Sequence, residues 1–459
     1  MGRIVTYQDF VDFGDSDEQR IAAIKQLIFQ HKSSEFCETA RTADKYDAQK
    51  NETIMQAAPL LYALNGMKVK DYTASNHQIA SNFFRQLNKQ RATYSLGNGV
   101  TFTRDGVKEK LGKDFDTDIS NAAYLALIHG VCYVFLDVDH LHRFPAYQFA
   151  PLWDERNSAL RAGVRYWRID DNHPGYAVLY EEDGFTVYKA ERGDDYKIDQ
   201  PKRAYKLTVQ KAAIDDEETI VGGENYSGLP IVPLWGSDLH QSTLVGMRGA
   251  IDAYDLVCSD FANDLSECSQ IYWLVENYGG MSDADLAKFR DRLKLTHIAE
   301  ADTQDGGKIT PYTQEPPSAS RSAFLAQIKD DIYRNFGAFD AQTVQAGSKT
   351  ATEINAAYQA LDQNADDFEY QLTVCIRQLL ALVGVPDDVF PTYKRNRISN
   401  QLEQVQMLML EAPYLDRQTI LENLPNIYID KVPEIMARLD EETEGRFVRG
   451  DEENAGDDE

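Results

Sequence analysis

The chain has 459 residues, with 47 Lys and Arg against 74 Asp and Glu, a net charge of −27, and 43% hydrophobic residues; that is a folded protein with room for two or three domains. The charge excludes an ordinary duplex-binding module, because a protein that grips DNA gains affinity from Lys and Arg that displace phosphate counterions. No run approaches the roughly 20 apolar residues of a membrane span, and the five cysteines form no Cys-x-x-Cys pair, which fits a reduced, cytoplasmic folding environment.

The opening MGRIVTYQDFVDFGDSDEQR lacks the charged-then-apolar plan of a signal peptide. Ile21, Ile24, Leu27 and Ile28 predict a short helix, and the polar SSEFCETARTADKYDAQKNET after it reads as irregular. A longer helix is predicted over about 75–94, with Ile79, Phe83, Phe84 and Leu87 on one side. It ends before the turn Leu96-Gly97-Asn98-Gly99 and a short strand at 100–102. Another helix, about 117–129, stops at Gly130. Residues 131–136 are a β-type run, and strand and turn signals continue to about Pro233. The first half is therefore α+β with an antiparallel, β-rich middle.

From Ser237 to about Glu267, Met247, Ile251, Tyr254, Cys258, Phe261 and Leu265 form one helical stripe. Asp252, Asp260, Asp264 and Glu267 fall opposite it, with Asp255 at the boundary. A small insert follows, with a turn at Gly279-Gly280, a helix from Ser282 to about Leu293, and strand-like runs near 296–299 and 308–312. A second helix begins near Ser318 and carries Leu325, Ile328, Ile332, Phe336 and Phe339. Thr350-Ala-Thr-Glu353 has the form of a capping box. Ile354, Tyr358, Leu361, Ala365, Phe368, Leu372, Cys375, Leu379 and Leu382 then hold a 4-3 rhythm until Gly384 and Pro386. That predicts a rod of about 50 Å, which needs packing along its length from neighbouring helices or subunits. Helical stretches at about 399–411, 416–422 and 432–440 lead into an acidic end, GDEENAGDDE, of the kind that is usually solvated and disordered.

No motif stands out as catalytic. Gly347-Ser-Lys-Thr350 lacks the earlier glycine and the preceding strand of a P-loop. Asp137, Asp139, His140 and His142 offer metal ligands without an evident further partner. Asp170-Asp171 reads as turn chemistry, and the acids of the 252–267 helix spread too widely for a two-metal site. Neither a metal nor another cofactor is expected. A metal-dependent nuclease or hydrolase built on the 137–142 group is the alternative reading, and a non-ring coiled-coil scaffold built on the long helix is a third.

Several phrases, taken in order, resemble the portal family of long-tailed bacteriophages. They are Phe149-Ala-Pro-Leu-Trp-Asp154 with Val164-Arg-Tyr166, Gly228-Leu-Pro-Ile-Val-Pro-Leu-Trp235, and Ala250-Ile-Asp-Ala-Tyr-Asp255 with Ser259 and Asn263-Asp264. Thr350-Ala-Thr-Glu-Ile354 and Asp416-Arg-Gln-Thr-Ile-Leu421 with Pro425 and Glu434 complete the set. The chain departs from the family at Trp235-Gly236-Ser237, where an Asn-rich turn is expected, and in its acidic end. The resemblance implies an α+β portal fold: a wing at 1–236, stem helices at 237–267 and 318–338, and a clip at 268–317. It further implies a tunnel loop at 339–349, a long helix at 350–384, a helical crown at 385–445 and a tail at 446–459. Also implied are a non-enzymatic, dodecameric ring at one capsid vertex, and duplex DNA passing through it. The expected partners are the terminase large subunit, head-tail connector proteins, and the capsid and scaffolding proteins; assembly in the host bacterial cytoplasm is implied, and no membrane is.

On that reading Gln342, Thr343, Gln345, Ser348 and Lys349 line the tunnel, and Asp252, Asp260, Asp264 and Glu267 face the channel or solvent. The stripe Ile354, Tyr358, Leu361, Phe368, Leu372 and Leu379 packs helices or subunits together.

Overall fold

The computed structural model describes residues 3–62, 66–72, 74–211, 218–268, 272–276, 284, 287–288, 308–312, 318–340, 351–397, 405, 408–424, 427 and 431–440. They divide into two compact units, residues 1–347 with 356–395 and residues 348–355 with 396–459.

The larger unit opens with α1 (Tyr7–Asp12) and α2 (Asp17–Lys32), started by capping boxes of Thr6 with Asp9 and Ser16 with Gln19. α2 buries Ile24, Leu27 and Ile28. The polar stretch that follows is helical, not irregular: Ser34 caps α3 (Glu35–Asp47), which buries Cys37, Ala40, Ala43 and Tyr46. Its buried positions 37, 40, 43 and 46 recur at a helical spacing, which the mostly polar composition of the stretch conceals. After α4 (Glu52–Gln56), β1 (Leu60–Tyr62) pairs antiparallel with β2 (Lys68–Lys70). α5 (Phe83–Leu96) begins at Phe83 instead of near Ser75, and residues 75–82 are not helical. β3 (Val100–Phe102), α6 (Lys108–Leu111) and α7 (Phe115–His129) follow. α7 stops where Gly130 turns left-handed at φ 92°, its N–H donating to Ala126 O at 2.8 Å.

Two antiparallel sheets form the middle of this unit. The five-stranded one is a meander of β6 (Phe149–Trp153), β7 (Leu160–Trp167), β8 (Gly175–Glu181), β9 (Gly184–Ala190) and β10 (Tyr196–Arg203). The three-stranded one has β4 (Val131–Asp137) between β5 (His140–Pro145) and β13 (Ile231–Trp235), with the separate pair β11 (Lys206–Lys211) and β12 (Glu218–Glu224) lying between them in sequence. Strand alternation assigns the faces. Ala150, Leu152, Val164, Tyr166, Leu179 and Tyr188 cluster with α2, while Phe149, Val178 and Tyr180 cluster with the three-stranded sheet. Tyr133 meets Phe149 at 4.4 Å and Phe135 meets Tyr180 at 5.2 Å between ring centres. α7 covers the three-stranded sheet, so its central strand β4 is buried on both faces.

α8 (Arg248–Cys268) starts later than the sequence suggests, because 237–247 form turns against the end of α7. Within the insert, β14 (Tyr272–Glu276), absent from the sequence reading, pairs antiparallel with β15 (Lys308–Tyr312), which the reading anticipates. The 296–299 run and nearly all of the 282–293 helix lie outside the described residues. A return helix spans Ser318–Phe336, and the long helix spans Ala351–Leu382, ending before Gly384 at φ 70°. β16 (Pro391–Tyr393) pairs with β3. In the smaller unit, Asp416 caps a helix at Arg417–Asn423, and 432–440 are also helical.

Candidate functional site

α8 and the return helix share one base. Met247, Ile251, Ile332 and Phe336 lie in a single buried cluster with Tyr46, Phe84 and Leu87. Phe83 wedges between the helices, edge-on to Tyr254 at 4.9 Å and to Tyr333 at 6.2 Å. Away from this base the apolar stripe opens to solvent, and Leu265 and Phe324 are exposed. There the pair is tied by Arg321 to Asp264 at 2.6 Å, with the guanidinium also over the Phe261 ring.

The polar side of α8 carries a structure absent from the sequence reading. Residues 77–81 lie extended along the helix, with their backbone N–H groups donating to its side chains. Ser81 N bonds Asp255 at 2.9 Å, Ile79 N bonds Ser259 Oγ at 3.0 Å, and His77 N bonds Asn263 Oδ1 at 2.7 Å. His77 Nε2 also pairs with Ser266 Oγ at 2.9 Å. Every second residue of this strap thus meets every fourth residue of α8. Using these N–H groups for bonds to α8 side chains keeps 75–82 out of the predicted helix. Asp255 and Ser259 are buried, and Asn51 also donates to Asp255. Burial raises the Asp255 carboxyl pKa, although the bonds from Asn51 and Ser81 oppose it.

The acids predicted to face outward have different fates. Asp252 is drawn onto the end of α3 and the start of α4, where it accepts from Tyr46 Oη at 2.5 Å and Thr53 Oγ1 at 2.7 Å. It also pairs with Arg248 at 3.6 Å, so it does not belong to an open acidic face. Asp264 is committed to Arg321, whereas Asp260 is exposed. The Glu267 side chain lies outside the described residues.

The segment 341–350, with Gln342, Thr343, Gln345, Ser348 and Lys349, also lies outside them, but its root is well defined. The return helix ends at Gly337, which takes φ 63°. Asn364 of the long helix donates to the freed Phe336 carbonyl at 2.8 Å. Gln90 of α5 then acts as a surrogate strand: its amide donates to Phe339 O at 2.8 Å and accepts from Phe339 N at 3.1 Å. The Phe339 ring stacks on Tyr358 at 4.2 Å, Tyr358 stacks on Tyr94 at 5.9 Å, and Tyr94 Oη donates to Asp362 at 2.7 Å. Lys329 meets Asp340 at 3.4 Å.

The long helix buries its stripe within its own chain. Phe368, Leu372, Cys375 and Leu379 are fully buried in the cluster that holds α7 and β4, and Tyr358 and Leu361 are nearly so. Of the two covers that the sequence leaves open, neighbouring helices or neighbouring subunits, this part of the stripe has one from its own chain. The Ile354 side chain is outside the described residues. Arg91 of α5 donates to Asn364 O at 2.9 Å and faces Asp367 at 3.8 Å; burial pushes its pKa down to about 10. Arg395 closes the far side against Asp362, Asp366 and Glu369. In the 137–142 group His142 pairs with Asp137 at 3.3 Å and His140 with Asp139 at 2.6 Å, as two separate, exposed pairs. Among the described residues no three His, Cys, Asp or Glu side chains converge as a metal site.

Comparison with known proteins first gives the class. Two relatives are phage portal proteins: one of Clostridium phage phiCD119, 24% identical over 86% of this chain and 94% of its own length, and one of Bacillus phage SPP1, 23% identical over 83% and 79%. The family described as "Phage portal protein, SPP1 Gp6-like" matches residues 27–446, and the chain belongs to it. A solved structure described as the neck of a native GTA particle, computed with C12 symmetry, aligns with a TM-score of 0.44 at 10% identity, over 75% of this chain and 90% of that one.

Proposed function

We propose that this chain is the ring-forming, non-enzymatic portal subunit of a tailed phage virion. As a dodecamer at one capsid vertex, it passes double-stranded DNA inward during packaging and outward during ejection. The observation that carries this reading is the portal-family match over residues 27–446. In this reading residues 1–236 are the wing, and α8 and the return helix are the stem. Residues 268–317 are the clip, which docks the terminase large subunit and later the head-tail connector. Residues 339–349 are the tunnel loop, 350–384 its supporting helix, 385–445 the crown and 446–459 a tail. The crown assignment is supported by residues 396–459 falling, with 348–355, in a unit separate from the rest of the chain. Capsid and scaffolding proteins are the remaining partners.

Two features support a conduit over a grip. The chain carries −27 overall, which disfavours adhesion to phosphate, and Asp260 is left exposed on α8. Lys349 is the single base of the 340–349 stretch, so around a ring it supplies weak, salt-sensitive touches to the passing duplex. Negative-stain images of the purified protein should show closed rings with a central hole; a stable native monomer of 52.0 kDa by sedimentation would overturn the proposal. Lys349→Glu should leave ring assembly intact and reduce DNA packaging or retention, and normal packaging by such rings would remove Lys349 from the tunnel role.

A further inference from the structure

The strands β1 and β2 form an arm whose role the portal reading leaves open. The pairs Leu60 with Lys70, Leu61 with Val69 and Tyr62 with Lys68 define it, and all six residues are exposed. Together Leu60, Leu61, Tyr62, Met67, Val69 and Tyr72 place an apolar group in solvent, with Tyr72 85% and Tyr62 72% exposed. A lone two-stranded hairpin is at best marginally stable in water, and both its edges offer unpaired backbone groups.

This arm is nevertheless held firmly at its root. Gln78 donates to Met55 O at 3.1 Å and Ala57 O at 2.8 Å, joining the incoming and outgoing chain, and Asp71 N bonds Pro59 O at 2.9 Å. Beyond Gln78, the strap fixes the outgoing end to α8. An anchored arm presenting apolar surface to water is organised for a partner.

Its charge indicates which partner. Lys68 and Lys70 lie on β2 and have no carboxylate partner among the described residues, in a chain that is otherwise strongly acidic. A complementary cleft of about 460 Å³ opens between the start of α3, α4 and residues 244–248. Glu35, Glu38, Glu52 and Arg248 line it, with the exposed Val245 beside the buried Leu244. Glu52 is taken by Lys45 and Arg248, but Glu35 and Glu38 have no basic partner among the described residues. A place in the first turn of a helix accounts for acids there; it does not account for the exposed Val245 beside them.

We infer that the arm of one subunit docks in the α3–α4 cleft of the next, with Leu60 and Tyr62 on the exposed Val245 and with Lys68 and Lys70, which share their face, on Glu35 and Glu38. This rests on the ring reading above and supplies one head-to-tail contact from which a ring closes, since the arm and the cleft are different patches of the same subunit.

The test uses the full chain. Thr39→Cys combined with Tyr62→Cys, which shares the face of Lys68 and Lys70, oxidised in purified rings, should give a covalent ladder running past the dimer, with neither single variant doing so. A ladder ending at the dimer would mean a two-fold contact and overturn the inference. Separately, Lys68→Glu with Lys70→Glu should lower ring yield by about ten-fold, as should Glu35→Lys with Glu38→Lys. The four changes together should restore it to within about two-fold, which a folding defect in either pair would not do. Rings that form normally with the reversed arm, and give no ladder from the cysteine pair, would overturn the docking while leaving the ring reading intact. A wild-type chain that forms no rings would overturn both.

Discussion

His31 lies between Tyr166, whose hydroxyl is 2.9 Å from Nδ1, and the Cys37 sulfur, 3.4 Å from Nε2. Burial, helped by the Arg41 charge, pushes its pKa down to about 4. The folded protein therefore favours the neutral ring. The associated stability is complete above the unfolded value near 6.5 and is lost as pH falls from there toward 4. Part of the residue still meets solvent, so the contribution is about 2 kcal/mol, less than the full shift would give. Denaturant unfolding of wild type and His31→Gln at pH 7.5 and pH 4.5 should show the wild-type advantage shrinking by about that amount. Parallel pH profiles would show that the ring does not titrate with unfolding. His31, at the end of α2, and Cys37, in the stretch that reads as polar, are six residues apart, and only the fold brings them together beside Tyr166.

At the scale of elements, the long helix was the most legible part of the sequence, because a 4-3 rhythm over so many turns has few other readings. What it packs against was not legible, since periodicity identifies a buried face and says nothing of the cover. The cover is α7 and β4 of the same chain, and a prediction follows. Leu372→Ala should destabilise the isolated subunit by about 2–5 kcal/mol in denaturant unfolding, while the fraction that folds still assembles. Loss of assembly without loss of subunit stability would instead place Leu372 between subunits. The polar face of α8 was legible as acids and not as contacts. Asp255, Ser259 and Asn263 stood out only as a phrase resembling the portal family, and their partners are backbone N–H groups some 180 residues away, which no side-chain pattern encodes. The same gap misplaced Asp252 on an open face, because Tyr46 and Thr53, which take it up, lie just as far off in sequence.

For the whole molecule, the conduit proposed for this member of the portal family suits the acidic balance that excludes a duplex reader. It also makes the junctions between parts mechanically important. The strap is one such junction, joining the arm's root to a helix of the proposed stem. Extended chain advances about 6.6 Å in two residues and a helix about 6.0 Å in four, so the two scales behave as a vernier. They agree over three rungs and drift by about 0.6 Å at each, which limits the fastening to a short length. Its position is also quantised. Removing one residue between His77 and Ser81 would turn the facing N–H groups away from α8 and undo the ladder, because successive N–H groups of extended chain point to opposite sides. Removing two would shift the strap by one whole rung and draw the arm's root about 6 Å along the stem. Hydrogen exchange should therefore find the strap amides unprotected after the single deletion and protected again after the double one. Equal loss in both would mean that the strap is held by something other than this ladder. With the rungs intact, the arm's reach is set in steps of one helical turn, as a notched rule sets a length.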